Sequence, residues 1–220
     1  MRFEEARTLL DHLPDRLPAP PAELTPVVLA NPDSDAPRFR SFPEGPRRSA
    51  AVLILIHPDS NREACLVLTE RSPGEHRHAG QISLPGGAID ETDESIEAAA
   101  LREAYEEVGL DAEAERVYVH GVLPEIDVRV SGFMVHPVVA FVAHEPALTP
   151  DGYEVAAIFS APLAAFLPES PIETVTAERD GFRLRYGGYR VGEHHVWGAT
   201  ADLLGRLGAH LGRVRSARGA

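Results

Sequence analysis

The sequence lacks lysine and has a single cysteine. All 21 basic side chains are arginines, a preference that codon composition explains as well as chemistry does. With Cys65 as the only thiol, no internal disulfide is possible. Cys65 lies in the apolar run from Ala64 to Leu68, so we expect a buried small residue there rather than a catalytic thiol.

The sequence also lacks a long apolar run, a basic N-terminus and a positive net charge. The run from Ala50 to Ile56 is too short to span a bilayer. Acidic residues stand where a signal peptide would carry basic ones, so we expect a cytoplasmic protein. The formal net charge is −13, which disfavours both nucleic acid and membrane as partners. An anionic substrate would need a local arginine cluster or a bound metal.

Three segments are predicted along the 220 residues. Residues 1–46 combine a short amphipathic helix, stopped by Pro14, with a proline-rich arm. Residues 47–212 carry strand-like runs, one central helix and one closing helix, and residues 213–220 form a frayed tail. Asp180-Gly181 between two strand-like runs predicts a β-hairpin. The order of elements predicts one α/β domain built on a mixed sheet.

The stretch from Leu84 to Leu110 is a glycine-led loop followed by a helix. Ser95 is the expected N-cap and Gly109 the C-terminal stop. Leu101, Tyr105 and Val108 repeat at helical spacing, which predicts that they face the core, flanked by two alanines, Ala98 and Ala104.

Three acids, Glu103, Glu106 and Glu107, share the other side of this helix. Clustered carboxylates of this kind suit Mg²⁺ or Mn²⁺. The alternative is a solvated acidic face, because like charges at this spacing cost only a few tenths of a kcal/mol per pair.

The motif of Gly86-Gly87, Arg102-Glu103, Glu106-Glu107 and Gly109-Leu110 resembles the signature of the Nudix hydrolases. Tyr105 is taken as its aliphatic position. The front half has one extra residue, so either Asp93 or Glu94 can stand for the first glutamate of the signature. The resemblance implies a Nudix fold, an α/β/α sandwich around a mixed β-sheet, with a proline-rich N-terminal extension.

A second resemblance points to the coenzyme A diphosphatase branch of that family. It rests on LTERSPGEHRHAGQISLPGG, from Leu68 to Gly87, where His76 stands in place of an arginine and Leu84 in place of a phenylalanine. The blocks VSGFMVHPVV, from Val130, and VWGATADLL, from Val196, are also similar. The likeness covers about residues 50 to 212.

The resemblance implies a role for each site residue. Glu103, Glu106 and Glu107 would hold Mg²⁺ or Mn²⁺, with the Gly87 carbonyl as a further ligand, and Arg102 would orient the acids. Glu154 is a candidate base or ligand, with a surface acid at a strand start as the alternative.

The substrate phosphates are expected to meet the polar loop before the helix. Arg71, Arg77 and Gln81 are the candidates, since a guanidinium matches phosphate oxygens, although an exposed polar loop explains them equally well. The histidines, among them His76 and His78, lack the spacing of a zinc site.

The implied reaction is metal-dependent hydrolysis of coenzyme A or acyl-coenzyme A to a phosphopantetheine and 3′,5′-ADP. Another nucleoside diphosphate derivative, such as ADP-ribose or a dinucleotide, is the first alternative. The second is a Nudix module that binds a nucleotide without turning it over. The expected partner is this small-molecule nucleotide, and a homodimer is left open.

Overall fold

A computed structural model describes residues 1–29, 45–73, 80–129, 131–179 and 182–219. In these ranges the chain forms the α-helices α1 (Phe3–Leu9), α2 (Ile96–Val108) and α3 (Gly198–Arg218), and two 3₁₀ helices, Ala22–Leu24 and Leu163–Phe166. The strands are β1 (Val27–Leu29), β2 (Arg48–Pro58), β3 (Ala64–Arg71), β4 (Ile82–Ser83), β5 (Gly86–Ala88), β6 (Tyr118–Val122), β7 (Ile126–Val128), β8 (Phe133–Phe141), β9 (Val155–Pro162), β10 (Ile172–Arg179), β11 (Phe182–Val191) and β12 (His194–Trp197).

Eight of these strands form one mixed sheet in the order β4-β3-β2-β8-β6, with β5 beside β2, β7 beside β8 and β9 beside β3. β2 and β8 run parallel, from Arg48↔Phe133 to Ile56↔Phe141, whereas the other pairs are antiparallel. The remaining four strands form a second, antiparallel sheet in the order β1-β11-β10, with β12 beside β11.

Hydrophobic cores lie on both faces of the large sheet. Alternate residues of β2 point to opposite sides, as the period of a strand requires: Leu53 and Leu55 pack against α2, while Ile54 and Ile56 pack against the core shared with α1 and α3. The predicted mixed-sheet α/β/α sandwich is therefore confirmed.

The N-terminal segment belongs to the second of these cores. Phe3, Ala6, Leu9 and Leu10 are buried as the amphipathic pattern predicts. The arm continues through the first 3₁₀ helix into β1, which pairs with β11; its residues 30–44 lie outside the described ranges. The division of the chain at residue 46 stays a prediction.

The C-terminal region follows the prediction in part. β10 and β11 pair from Ile172↔Tyr189 to Arg179↔Phe182, so the expected hairpin forms, although its turn, Asp180-Gly181, lies outside the described residues. α3 continues to Arg218. The expectation of a frayed tail from residue 213 is therefore wrong up to that point.

The core face of α2 differs from the one predicted. Tyr105 is 62% exposed, while Ala100, Ala104 and Val108 are buried. The aliphatic position of the signature is Ala104, and Tyr105 follows it on the solvent side. Small alanines let the helix approach the sheet closely, and a tyrosine on that side would hold it away.

Candidate active site

Residues at its two ends determine where α2, with its three acids, begins and stops. The Ser95 hydroxyl accepts a hydrogen bond from the Ala98 N–H (3.1 Å), and Gly109 ends the helix in the left-handed conformation with φ 68°. Both predicted ends are thereby confirmed. The Thr149 and Asp151 N–H groups donate to the Val108 and Glu107 carbonyls (2.9 and 3.1 Å), so the segment before β9 lies along the end of the helix.

The glycine pair of β5 brings the backbone against the acids of α2. Gly86 has φ +150°, and a Cβ there would collide with the Ala51 carbonyl of β2. Its N–H donates to Glu107 Oε2 at 2.9 Å. A Cβ on Gly87 would lie 2.5 Å from the Glu103 carboxylate. Glycine at position 86 is therefore a steric condition of the fold, whereas a side chain at position 87 would displace the Glu103 carboxylate.

Glu107 is the buried acid of this group, with 7% of its surface exposed. The pKa of its carboxyl is raised to about 7, chiefly by burial and also by the nearby Glu103 and Glu154 carboxylates, against the Gly86 N–H and Arg71, which lower it. Burial also raises the pKa of Glu103, against Arg102, with contributions from Glu106 and Glu154. The negative charges of these carboxylates therefore repel one another.

Arg102 joins the acids on both sides of the loop. Its Nε and Nη2 donate to the two oxygens of Asp93 (2.9 and 3.0 Å), and Nη1 donates to Glu103 (3.0 Å) and Glu106 (3.1 Å). Nη2 also donates to the Ala88 carbonyl at 3.1 Å. This guanidinium thus ties the loop to the helix.

Hydrogen bonds with Arg102 distinguish Asp93 from Glu94, the two residues that the motif spacing left open for the first glutamate of the signature. The Asp93 side chain is 5% exposed, and its hydrogen bonds with Arg102 lower the pKa of its carboxyl. The next residue, Glu94, is exposed. Asp93 therefore takes the partner position that the signature gives to its first glutamate.

Glu154 and Arg71 complete the cluster from the other side. Their charged groups lie 3.8 Å apart, and the Glu154 carbonyl accepts from the Ser72 N–H at 2.9 Å. The Arg71 N–H donates to the Gln81 carbonyl at 3.0 Å, so Gln81 lies at the base of the same loop. Arg77, with His76 and His78, lies outside the described residues.

Asp151 was missed by the sequence reading. Its carboxylate accepts from the Glu154 N–H (3.0 and 3.1 Å) and from the Val155 N–H (2.8 Å), which holds the start of β9 in place. An aspartate followed by a glycine, here Asp151-Gly152, is a turn signal, and this pair could have identified Asp151 from the sequence.

The predicted metal ligands are close together but not arranged around a common point. Within the described ranges, no three carboxylate, imidazole or thiol side chains stand where one ion could bind them all. Arg102 draws Glu103 and Glu106 towards itself, and Glu107 bonds to Gly86.

The donor set nevertheless fits a divalent cation. Burial is the largest cause of the raised pKa values of Glu103 and Glu107, and it outweighs the opposing effects of Arg102, Arg71 and the Gly86 N–H. Hard oxygen donors of this kind are the ligands of Mg²⁺ and Mn²⁺. A bound cation would supply the missing positive charge.

Comparisons with known proteins identify the family of this chain. The family model described as NUDIX domain matches residues 46–177. The chain is 41% identical over 166 residues to the "Uncharacterized Nudix hydrolase NudL" of Cronobacter sakazakii, covering 76% of this chain and 84% of that protein. For the NudL of Escherichia coli O7:K1 the values are 40% over 167 residues, 75% and 83%.

A solved structure, the Nudix hydrolase RenU of M. smegmatis, is similar with a TM-score of 0.46 and 27% identity, over 55% of this chain and 74% of that chain. The family match spans β2 to β9 and α2, and so includes the glycine pair, Arg102 and all the acids of the cluster.

In the described part of the chain no helix has the length and apolar character needed to cross a bilayer.

Proposed function

We infer that this chain, which belongs to the Nudix hydrolase family of pyrophosphohydrolases, acts on coenzyme A or an acyl-coenzyme A. Family membership establishes hydrolysis of a diphosphate substrate. The finer proposal is that water attacks one phosphorus of the coenzyme A diphosphate. The P–O–P bridge then breaks, and the products are phosphopantetheine, or its acyl form, and 3′,5′-ADP.

The observation that carries the substrate proposal is the stretch from Leu68 to Gly87, which is similar to the motif of coenzyme A diphosphatases. Its two ends meet beside the acids. Arg71 bonds to Gln81 through the backbone, and its guanidinium lies 3.8 Å from Glu154. The polar loop between these ends is therefore anchored next to the carboxylate cluster, which supports a role in holding the substrate.

A divalent cation is part of the proposal. Glu103, Glu106 and Glu107, with the Gly87 carbonyl, would hold Mg²⁺ or Mn²⁺. When bound, such an ion neutralises diphosphate oxygens and aligns the attacking water. Gly87 suits this role because the Glu103 carboxylate already lies against its backbone.

The remaining residues bind, orient or accept a proton. Arg102 positions the acids through its fork onto Asp93. Glu154, whose side chain is 51% exposed beside Arg71, accepts the proton of the attacking water. Arg71 and Gln81, with Arg77 from the loop outside the described residues, bind the substrate phosphates.

The test is a panel of diphosphates incubated with Mg²⁺ or Mn²⁺, with the products identified by mass spectrometry. Coenzyme A and acetyl-coenzyme A are expected to yield phosphopantetheine, or acetylphosphopantetheine, and 3′,5′-ADP. Fast turnover of ADP-ribose or of a dinucleotide without any phosphopantetheine would replace the proposed substrate. Binding of all these compounds without any product would indicate a non-catalytic module.

A further inference from the structure

A cleft lies along β9 next to the carboxylate cluster. Its volume is about 520 Å³, within the range of roughly 300–1,000 Å³ typical of ligand sites. Most of the residues that line it are apolar, among them Val67 and Ile158 from the sheet and Pro146 and Leu148 from the segment before β9, but polar atoms form the larger part of its exposed surface. None of these side chains has a role in the chemistry described above.

The cleft follows the edge of the sheet rather than its face. Four consecutive residues, 157–160, line it, although successive side chains of a strand point to opposite faces. Among the described strands β9 pairs with β3 alone. The other edge of β9 therefore offers backbone N–H and C=O groups to a ligand that carries amides.

One end of the cleft lies close to the C-terminal end of α2. Pro150 lines it, and the next residue, Asp151, donates its N–H to the backbone carbonyl of Glu107 at 3.1 Å. Ala157 lines it three residues after Glu154, about 10 Å along the chain. A molecule whose diphosphate lies at the acids would have to cover about this distance from Glu154 to enter the cleft.

The far end carries the polar groups. The Ser160 hydroxyl lies 3.0 Å from Nε2 of the buried His57, whose Nδ1 lies 3.2 Å from the Pro58 carbonyl. Because a carbonyl only accepts, Nδ1 donates to it, and Nε2 of the neutral ring accepts from Ser160. The oxygen of Ser160 keeps its lone pairs for a ligand donor.

Charge distinguishes the two halves of the substrate. Among the described residues that line the cleft, the one charged side chain is that of Glu145, and none is basic. An adenosine 3′-phosphate would bring up to two negative charges beside this carboxylate without a compensating cation. The pantetheine arm is neutral and contains two amides and one hydroxyl group between apolar stretches, so it suits a cleft that combines apolar side chains with exposed polar atoms.

We propose that this cleft binds the pantetheine arm of the substrate, with any acyl group reaching towards Glu145, while the 3′,5′-ADP half lies on the side of Arg71 and Gln81. The assignment rests on the proposed function and adds the orientation of the substrate to it. The cleft then determines which acyl groups are accepted.

The first test fills the cleft. Ala157→Phe places a ring inside it, and Ala156→Phe is the matched control, because Ala156 is exposed on the same strand and does not line the cleft. Ala157→Phe is expected to raise KM for coenzyme A and the inhibition constant of phosphopantetheine by about tenfold or more, with a smaller change in kcat. The inhibition constant of 3′,5′-ADP and all constants of the control should stay near those of the parent.

Equal constants for the two variants would overturn the cleft assignment, as would a parallel rise in the inhibition constants of both products. A parent protein that does not hydrolyse coenzyme A would instead reject the proposed function, and the assignment with it. The two failures are distinguishable because the second appears in the parent alone.

A second variant avoids any risk to folding. Glu145 is exposed, and Glu145→Lys reverses the charge at the far end. The ratio of KM for succinyl-coenzyme A to KM for acetyl-coenzyme A should fall several-fold, since the terminal carboxylate of the succinyl group meets a cation instead of an anion. An unchanged ratio would contradict an acyl group at this end.

Discussion

Arg102 has more charged partners than any other residue of the site described here. It binds two oxygens of Asp93 and one oxygen each of Glu103 and Glu106. These bonds raise the pKa of the guanidinium, with Asp93 as the largest cause, so its charge is permanent. Because Asp93 holds the Arg102 guanidinium in place, the loop before α2 determines the orientation of the Glu103 and Glu106 carboxylates.

Replacing Asp93 by asparagine should therefore impair catalysis, because Asp93 positions Arg102, which bonds to Glu103 and Glu106. We expect Asp93→Asn to lower kcat about 10- to 100-fold, the loss typical for a residue that orients a metal ligand, because Glu103 and Glu106 are the proposed ligands. The matched control is Glu94→Gln, one residue away and exposed, which should retain parental activity. Steady-state kinetics with saturating Mn²⁺ measures both. Equal losses in the two variants would show that the fork is not what orients the acids.

Glu107 predicts a pH-dependent stability in the absence of metal. Its pKa lies at about 7, above the ordinary 4.5, so the folded state binds the proton more tightly than the unfolded chain does. The resulting stabilisation is complete below pH 4.5 and is lost as the pH rises through about 7. The Glu107→Gln variant lacks this titrating group, so it should not lose stability in this way as the pH rises. Between pH 5 and pH 8 its melting temperature should rise progressively above that of the parent.

Thermal melts in EDTA at several pH values measure this difference. Glu106→Gln is the control, because the Glu106 side chain is 56% exposed and water solvates its charge. A constant difference in melting temperature between Glu107→Gln and the parent, across this pH range, would contradict the buried carboxylate described above.

At the scale of elements, α3 depends on glycines for its packing. A Cβ on Gly208 would overlap the Phe166 carbonyl of the second 3₁₀ helix, and one on Gly212 would lie 2.8 Å from the Pro168 ring. Leu203, Leu204, Leu207 and Leu211 are buried beside them. The leucines supply the apolar contacts, and the glycines allow the two backbones to approach closely.

Gly208→Ala should consequently destabilise the protein. Alanine favours a helix over glycine by about 1 kcal/mol, but overpacking against a backbone carbonyl costs about 1–3 kcal/mol, and a clash this close should lie at the upper end. Gly212→Ala meets only ring carbons, which can shift, and should cost less. Urea denaturation of both variants measures the difference. A Gly208→Ala protein more stable than the parent would contradict the packing of α3.

The elements also show why the sequence predicted some positions and not others. The ends of α2 were predictable because Ser95 and Gly109 act within a few residues of themselves. Its core face was not, since Tyr105 and Ala104 fit the helical period almost equally well. Contact with the sheet decided between them, and it favoured the small side chain.

At the scale of the whole molecule, the N-terminal helix is part of the core. Phe3 is 1% exposed and packs edge-on against Phe141 of β8, with ring centroids 6.2 Å apart. Leu10 is fully buried in the same cluster. α1 therefore belongs to the layer that covers the large sheet opposite α2, although the family match begins only at residue 46.

Removing the Phe3 side chain should weaken the entire domain. Phe3→Ala is expected to cost about 3–5 kcal/mol, from lost burial and the cavity left behind. Thr8→Ala, at an exposed position of the same helix, is the control and should change stability little. Denaturant unfolding followed by tryptophan fluorescence and by circular dichroism should show one shifted transition. Separate transitions by the two probes would indicate that α1 folds apart from the sheet.

The sequence by itself determined the class of fold, the glycine pair, the ends of α2 and the candidate acids of the site, because caps, periods and motif spacing are local properties. Only the tertiary structure decided that Asp93 rather than Glu94 meets Arg102, that Glu107 is buried, and that Tyr105 faces solvent. The first depends on the path of the loop before α2, and the other two depend on how α2 packs against the sheet. Neighbours in space determine how far a side chain is buried and how its charge is compensated, and the spacing of residues along the sequence does not show either property.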